Sequence, residues 1–412
     1  MTTLAAVRTS PLRVLYEDFH RHPEVAFEEH RTTDAIAGLL RERGLDVTVS
    51  DTVTGVVATL ENGPGPVVAL RADIDALPIA EQTGVPYASE SDAMHACGHD
   101  VHITSLIGTI DRLLAEKDRW SGTVVAIFQP AEEVGSGARA QIASGIFADH
   151  PRPDIVLGQH ASGALKPGAV GTRGGVLQAA ADTWHITLRG DGGHAAGPHK
   201  TVDLVVLAAA IVLRLQTIVS REVPPNETAV VSVGTIHAGT VSNILPDELT
   251  FTVNARSFTE EVRSLIERAV KRIVIAEAQA SGLTSEPEFE HIVRFPLNVN
   301  DVASFEVVRS ALEGEFGKDN FTVVDPITGS EDFGEFGTSF GVPSVYWYFG
   351  TGLAEEVADR VPAPNGHSPW YAPDPDVAID TGVRALTAVA LRALGSKSER
   401  GESSTAQNGG GR

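Results

Sequence analysis

Short apolar runs alternate with amphipathic segments through most of the chain. Runs of strand length lie at 55–60, 67–72, 123–128 and 344–349. Between them, the side chains at 101, 104, 107, 110 and 114 recur at helical spacing, and a last helix is predicted at 376–394. This alternation predicts an α/β domain in which helices cover a central sheet.

The pattern changes near residue 180. Strands are predicted at 182–189, 229–236, 249–256 and 287–295, and helices at 203–220 and 260–280. The order β-α-β-β-α-β is the split βαβ plan of a ferredoxin-like domain. We therefore predict an α/β domain in two parts, 1–179 and 296–395, with an inserted domain at 180–295 between them. A disordered polar tail is predicted at 396–412.

Residue types that commonly bind transition metals follow several of the apolar runs or lie in loops. Cys97 and His99 flank Gly98, and Cys97 is the only cysteine in the chain, so it cannot form an internal disulfide. Further ligand-type residues lie just past strand-like segments or in loops, namely Glu132, Glu133, His160 and His367. Side chains at the carboxyl ends of α/β strands meet in one crevice. A thiolate with imidazoles favours zinc or a similar transition ion over magnesium or calcium.

The adjacent pair Glu132 and Glu133 follows the run 123–128. Successive side chains in extended backbone point in different directions, so one carboxylate can bind a metal while the other faces a metal-bound water. A Lewis-acid ion together with a carboxylate that removes the proton of the water is what a metallohydrolase requires.

Polar residues close to these motifs have less specific patterns. Asp73 and Asp75 are two apart, so in extended backbone they share a face. Solvated loop aspartates and a carboxylate that orients a ligating histidine both fit this spacing. His95 and His102 could be ligands, although a supporting or structural role is the favoured interpretation.

Four further candidates stand alone in the sequence. His20 and His22 precede Pro23 and are expected at the surface. A glycine-rich loop could carry His194 toward an active site, and Arg256 could bind a substrate carboxylate. From the residues alone, a surface position is the favoured interpretation of both, and the functional alternative stays open.

Composition narrows the function classes. The chain has 412 residues, 42% of them apolar, and its net charge of −22 with no basic patch argues against nucleic-acid binding. The N-terminus has no apolar signal core, and no apolar run is long enough to cross a bilayer. With a single cysteine, these features predict a cytoplasmic protein. No glycine motif matches a phosphate loop or a dinucleotide fingerprint, so a nucleotide cofactor is not supported.

Five motifs together resemble those of the zinc-dependent aminoacylase and carboxypeptidase superfamily. They lie at 71–78, 94–100, 129–133, 193–199 and 329–333. The chain is most similar to the amidohydrolase branch, with hippurate hydrolases, indole-acetyl-amino-acid hydrolases and N-acyl-amino-acid aminoacylases. The resemblance covers residues 16–394. It implies a metallopeptidase-like catalytic domain with a mixed central sheet and an inserted ferredoxin-like α+β domain that acts as a lid and in dimerisation.

The resemblance also implies a site for two divalent metal ions, which would be zinc, with manganese or cobalt as alternatives. Cys97 would bridge the ions, and the remaining ligands would be His99, Glu133, His160 and His367. Glu132 would be the general base and then the acid that protonates the leaving amine. Asp75 matches the carboxylate that orients a metal ligand in the wider superfamily.

The implied reaction is hydrolysis of the amide bond of N-acyl-L-amino acids to a carboxylic acid and a free amino acid. His194 would stabilise the oxyanion from a partner subunit of a homodimer or a dimer-based oligomer. Asn243 and Arg256 would hold this small-molecule substrate. Leu204 stands where the family usually has a proline, which leaves the pocket undefined.

Two alternatives remain beside this interpretation. A dipeptidase or carboxypeptidase could use the same two-metal site on a substrate with a free amine. A binding protein without catalysis could retain the scaffold, but Glu132 argues against it because binding alone does not need that carboxylate.

Overall fold

The computed structural model describes residues 10–395, which divide into two compact units. The first unit comprises the residues up to Leu177, Val299–Asp325 and those from Asp332 on. The second comprises Gln178–Asn298 and Pro326–Glu331. The predicted tail at 396–412 lies outside the described residues. The lid and dimerisation roles of the inserted segment stay predictions.

The first unit contains most of the helices and one large sheet. Its helices are α1 (Pro11–Arg21), α2 (His30–Glu42), α3 (His99–Ala115), α4 (Gly137–Ala143), α7 (Val302–Phe316), α8 (Gly334–Phe340) and α9 (Pro375–Leu394). Its sheet strands are β1 (Asp46–Val49), β2 (Val56–Glu61), β3 (Val67–Asp73), β4 (Thr123–Gln129), β5 (Ile155–Ser162), β6 (Val170–Thr172), β15 (Phe321–Val323) and β16 (Ser344–Gly350). As expected for a serine N-cap, the Ser10 side chain accepts the N–H of Arg13 (3.1 Å) at the start of α1.

The large sheet is mixed, as predicted, with strand order β1-β2-β4-β3-β5-β16-β6-β15. Strands β4, β3, β5 and β16 are parallel neighbours, so their carboxyl ends lie along one edge. Both faces are covered by helices, and the buried side chains alternate between them. On β4, Val124 and Phe128 belong to the core beneath α1, α2, α3 and α9, whereas Val125 and Ile127 face α4 and α8. The predicted α/β class is confirmed.

The second unit has its own sheet and core. It contains β8 (Ala180–Arg189), β9 (Gly193–His194), α5 (Leu204–Leu215), β10 (Ala229–Ala238), β11 (Ile244–Leu245), β12 (Glu248–Ser257), α6 (Glu260–Ala280) and β13 (Glu288–Phe295). Two short strands, β7 (Gly175–Gln178) and β14 (Asn298–Asn300), lie where the chain passes from one unit to the other. The four-stranded order β10-β12-β8-β13, all antiparallel, is that of the predicted ferredoxin-like plan.

One helical stretch of the second unit departs from the sequence expectation. Among residues 10–395, Leu204–Glu222 alone is long and apolar enough to cross a bilayer by length and composition, with mean hydropathy 1.8. Leu207, Ile211 and Leu215 on one side of it are buried in the core of this unit. That packing is the arrangement of a core helix on a sheet.

Candidate metal centre

The metal-type ligands lie where the strands of the first unit end and α3 begins. Gly98 is the N-cap of α3 and has φ +82°, a left-handed conformation that glycine adopts without a side-chain clash. A Cβ at this position would lie 3.2 Å from the Cβ of Ala161, at the end of β5. The glycine therefore lets the turn that carries Cys97 and His99 approach the strand that carries His160.

Three of the predicted ligands form a first cluster. The ligand atoms of Cys97, His99 and His160 all lie within 4.8 Å of one another. The Cys97 Sγ is 3.5 Å from the His160 Nε2. A thiolate and two imidazoles at this spacing match the ligand types that zinc prefers.

The remaining predicted ligands form a second cluster, which shares Cys97. The ligand atoms of Cys97, Glu133 and His367 also lie within 4.8 Å of one another, and the His367 Nε2 is 3.3 Å from the Glu133 Oε2. His367 has φ +67°, and its N–H donates to the carbonyl of Ala96 (2.8 Å), which fixes the loop beside the cysteine. A sulfur common to both clusters is the arrangement expected of a bridging ligand.

The polar atoms facing these clusters fit cations. The His99 Nε2 and the Glu133 Oε1 are buried and have no hydrogen-bond partner among the described residues, although they lie only 3.8 Å apart. A buried polar atom without a partner is unfavourable, whereas a cation between the two atoms would satisfy both. The residues present therefore fit two divalent metal ions.

Electrostatics favour a thiolate at the shared position. Burial and the neighbouring charge of Glu133 oppose ionisation of Cys97, but His160 and His367 outweigh them and lower the pKa of the thiol to about 7. Burial would lower the pKa of His160, yet the charge and hydrogen bond of Cys97 raise it to about 9. The pKa of His367 rises to about 10 because it hydrogen-bonds to Cys97 and Glu133. Cysteine as thiolate is the form that binds metals.

Asp75 connects the two clusters. Its Oδ1 lies 3.1 Å from the His99 Nδ1, and its Oδ2 accepts the backbone N–H of Glu133 (2.9 Å). A hydrogen bond from Nδ1 leaves the Nε2 of His99 available to a metal, which is how carboxylates orient ligating histidines. Complete burial raises the pKa of Asp75. Of the two interpretations of the aspartate pair, the structure favours orientation of a ligand for this residue.

Asp73 and His102 form a separate buried contact. The Asp73 Oδ1 hydrogen-bonds to the His102 Nδ1, and the Asp73 Oδ2 accepts from the Arg71 Nη1 (2.7 Å). On its other side, His102 accepts the backbone N–H of Ala161 (2.8 Å) at its Nε2. Both ring nitrogens are thus occupied, although the ligand atoms of Asp73, His99 and His102 also lie close together. His102 supports the backbone next to His160, and a supporting role agrees with the favoured interpretation.

Arg71 and Gln129 extend this buried network, and neither was predicted to be a functional residue. The Arg71 Nε donates to the Gln129 Oε1 (2.8 Å), and the Gln129 Nε2 donates to the Asp332 Oδ1 (2.6 Å). The cation of Arg71, together with His102, holds the pKa of Asp73 well below its usual range despite burial. The only available signal was a charged residue inside an otherwise apolar strand, which implies a buried partner.

Glu132 stands beside the metal-type cluster without belonging to either ligand trio. It is 5% exposed and opens a single 3₁₀ turn, Glu132–Val134, after Ala131. Its carboxylate lies within 4.8 Å of the ligand atoms of His99 and Glu133. Glu132 and Glu133 are successive residues of this turn, so one carboxylate can bind a metal while the other faces the reacting water.

Comparison with known proteins identifies the family. The model of peptidase family M20/M25/M40 matches residues 69–392, more than half of the chain. The chain belongs to this family. It is 36% identical over 342 residues to the N-acetylcysteine deacetylase of Bacillus subtilis, covering 82% of this chain and 88% of that protein. It is also 36% identical over 339 residues to the thermostable carboxypeptidase 2 of Saccharolobus solfataricus, covering 81% and 84%.

A solved M20 structure agrees in fold, and that relative binds two metal ions. The crystal structure of a dinuclear metal-binding peptidase of the M20 family from Bacillus subtilis is 30% identical to this chain, with a TM-score of 0.76, and covers 95% of this chain and 99% of that one. The predicted family, the fold class and a hydrolase acting on amide bonds are thereby confirmed. The candidate ligand clusters and this M20 relative support two divalent ions.

The remaining predicted site residues of this M20 chain lie in the second unit. His194 is exposed on β9, opposite Ile244, and its Nδ1 accepts the N–H of Ala196 (3.0 Å). The carbonyl of Asn243 accepts the N–H of Ala195 (3.0 Å), which brings Asn243 next to His194. Their roles in catalysis and substrate binding stay predictions.

Arg256 lies on β12 of the same unit and is partly buried. Its Nη1 donates to the Ser330 Oγ (2.6 Å), and that hydroxyl donates to the carbonyl of Ala179 (2.7 Å). Burial lowers the pKa of Arg256 from its usual value. Its proposed contact with a substrate carboxylate stays a prediction.

His20 corrects one sequence expectation. It is fully buried, not at the surface, with its Nδ1 2.6 Å from the Asp100 Oδ2 and its Nε2 3.2 Å from the Glu81 Oε1. Burial opposes the charged form, but the two carboxylates outweigh it and raise the pKa of His20 to about 9. Both partners are far along the chain, and local sequence does not reveal such pairing. His22 is exposed, as predicted.

Proposed function

We propose that this M20 enzyme hydrolyses the amide bond of N-acyl-L-amino acids with two zinc ions. The observation that carries the proposal is the pair of ligand clusters that share Cys97, with Glu132 beside them. Cys97 would bridge the ions. The other ligands would be His99, Glu133, His160 and His367. The deacetylase name of a relative at 36% identity supports an N-acyl substrate.

The chain's own residues would divide the reaction between them. When bound, two such ions supply Lewis acidity, which acidifies water and polarises a carbonyl. Glu132 would take the proton of the attacking water at its carboxylate and deliver it to the leaving amine. Asp75 would keep the His99 Nδ1 protonated, so that the Nε2 faces the metal.

The second unit would supply substrate contacts. His194 would donate to the developing oxyanion, and Asn243 and Arg256 would hold the substrate carboxylate and amide. We propose that His194 acts across a homodimer. The exposed apolar side chains Val206 and Leu213, 65% and 73% accessible on α5, are the kind of surface that a subunit contact covers. A monomer by light scattering would remove the role of His194 across subunits.

A dipeptidase or carboxypeptidase is the second candidate function. It is favoured by the thermostable carboxypeptidase among the relatives, at the same 36% identity. The two functions differ in the carbonyl side of the cleaved amide bond. An N-acyl amino acid has an acyl group there, whereas a dipeptide has an amino-acid residue with a free amine. A reducing cytoplasm as the location fits a chain whose only cysteine is a candidate ligand.

The test is release of free amino acid from a panel of N-acyl amino acids and free-amine dipeptides. The enzyme is compared zinc-loaded and chelator-stripped, alongside Glu132→Gln and the exposed control Glu42→Gln. We expect zinc-dependent release from the acylated members, loss of turnover in Glu132→Gln with its metal content unchanged, and wild-type turnover in the control. Release only from dipeptides would favour the second function, and an active Glu132→Gln would refute the assignment of the base.

A further inference from the structure

A buried carboxylate outside the metal clusters contacts the backbone next to the proposed base. Glu29 is 0% exposed and directly precedes α2. Its Oε1 accepts the backbone N–H of Ala131 (2.8 Å), although 102 positions separate the two residues. We propose that Glu29 is a positioning residue that fixes the turn carrying Glu132. The proposal rests on the role of Glu132 in the proposed function.

The backbone at Ala131 needs such support. Ala131 has φ +51°, a left-handed conformation that is unfavourable for a residue with a side chain. Residues in such conformations persist only where the surroundings hold them. The carbonyl of Ala131 accepts the N–H of Gly137 (3.1 Å), so the hydrogen bond that its own N–H donates to Glu29 secures the other end of the same residue. The 3₁₀ turn with Glu132 begins directly after this point.

A second buried carboxylate holds the other side of Glu132. The N–H of Glu133 donates to the Asp75 Oδ2 (2.9 Å). The backbone amides before and after the proposed base are therefore each bound by a carboxylate from a distant part of the chain. Removing one of the two would free one end of a short turn, and errors of about 1 Å in such positions cost about 100-fold in rate.

The carboxylate of Glu29 is itself fixed and has no direct access to the reaction. The Thr54 hydroxyl donates to its second oxygen, so both oxygens are engaged away from the metal clusters. Glu29 is absent from every ligand trio formed by the described residues. We therefore infer that it acts on the reaction through the backbone of Ala131 and not as a metal ligand.

Charge is not required for this contact, because an amide oxygen at the same place can accept the same N–H. Burial raises the pKa of Glu29 to about 7, so the neutral acid is an accessible form of the native residue. Glu29→Gln should thus preserve the support, while Glu29→Ala removes it. Glu28 is a matched control because it is the same residue type, lies next to Glu29 in the chain and is exposed.

The experiment measures kcat, KM, the pH profile of kcat and bound zinc for Glu29→Ala, Glu29→Gln, Thr54→Val and Glu28→Ala, with Glu132→Gln in parallel. We expect Glu29→Ala to lose about 100-fold in kcat, with KM within about twofold and both zinc ions retained. The acid limb of its pH profile should shift, since the surroundings of Glu132 change. Glu29→Gln should keep most of kcat, Thr54→Val should lose less than Glu29→Ala, and Glu28→Ala should match the wild type.

Four results would overturn the inference. Wild-type kcat in Glu29→Ala beside an inactive Glu132→Gln would refute the positioning role and leave the proposed function intact. Equal damage from Glu29→Gln and Glu29→Ala would refute the role of the acceptor oxygen. Loss of zinc together with kcat in Glu29→Ala would show a general structural role. An active Glu132→Gln would remove the base, and the inference with it.

Discussion

Asp75 offers a sharp test of how the metal ligands are held. Replacing it with asparagine keeps the size and shape of the side chain. In the native protein, the two carboxylate oxygens of Asp75 face two donors, the His99 Nδ1 (3.1 Å) and the N–H of Glu133 (2.9 Å). Asparagine has one acceptor oxygen and one NH₂ group, so it can satisfy only one of them. The other donor would be buried against a second donor.

The expected loss follows from this count. A hydrogen bond to a charged acceptor contributes about 1.5–3 kcal/mol, and a buried donor left without an acceptor costs a similar amount. At about 1.4 kcal/mol for each factor of ten, Asp75→Asn should weaken zinc binding about 10- to 100-fold. Losses of this size are usual when a group that orients a metal ligand is replaced.

The affinity is measured by competition between the enzyme and a chromophoric zinc chelator at fixed pH. Asp92→Asn is the control, because Asp92 is exposed in the same unit and should leave the affinity unchanged. The thermal midpoint of each apo variant shows whether the fold is retained. Wild-type affinity in a folded Asp75→Asn would refute the view that this carboxylate orients His99.

Two further predictions concern buried charges. Arg71→Met leaves the carboxylate of Asp73 without its nearest cation and should lower the free energy of unfolding by about 3–5 kcal/mol in urea; a loss below 1 kcal/mol would contradict this. His20 has a folded pKa of about 9, above its ordinary 6.5, so its contribution is complete below pH 6.5 and is lost as the pH rises through 9. Stability should fall over this range by an amount of the order of 3 kcal/mol. His20→Gln should flatten the slope, and an unchanged slope would show that Asp100 and Glu81 do not hold the charge.

The grouping of the ligand-type residues could be predicted because these residue types are rare and most stand at the ends of strands. A single cysteine two positions from a histidine indicates a metal site by local spacing alone, without knowledge of the more distant ligands. The alternation of apolar runs also predicted the ferredoxin-like plan of the inserted unit, since only a few topologies connect four strands and two helices in that order. These inferences depend on local spacing, which a single sequence contains in full.

The roles of two buried residues, His20 and Glu29, could not be predicted, because they depend on partners far along the chain. His20 and Asp100 are 80 positions apart, and nothing near His20 indicates a buried carboxylate. Glu29 is one of two adjacent glutamates, and local sequence does not distinguish it from the exposed Glu28. Burial decides the role in both cases, and burial is a property of the tertiary structure.

Three side chains that support the site, Glu29, Asp75 and His102, share one feature. Each accepts a hydrogen bond from a backbone amide that is adjacent to, or part of, a functional residue. The donor and acceptor pairs are Ala131 with Glu29, Glu133 with Asp75, and Ala161 with His102. Every residue except proline carries an amide N–H, so the donor gives no sequence signal. Which amide an acceptor binds is decided only when the fold brings the two together. The site is thus held through its backbone by side chains from three different elements or loops, while the ligand side chains remain available to the metals.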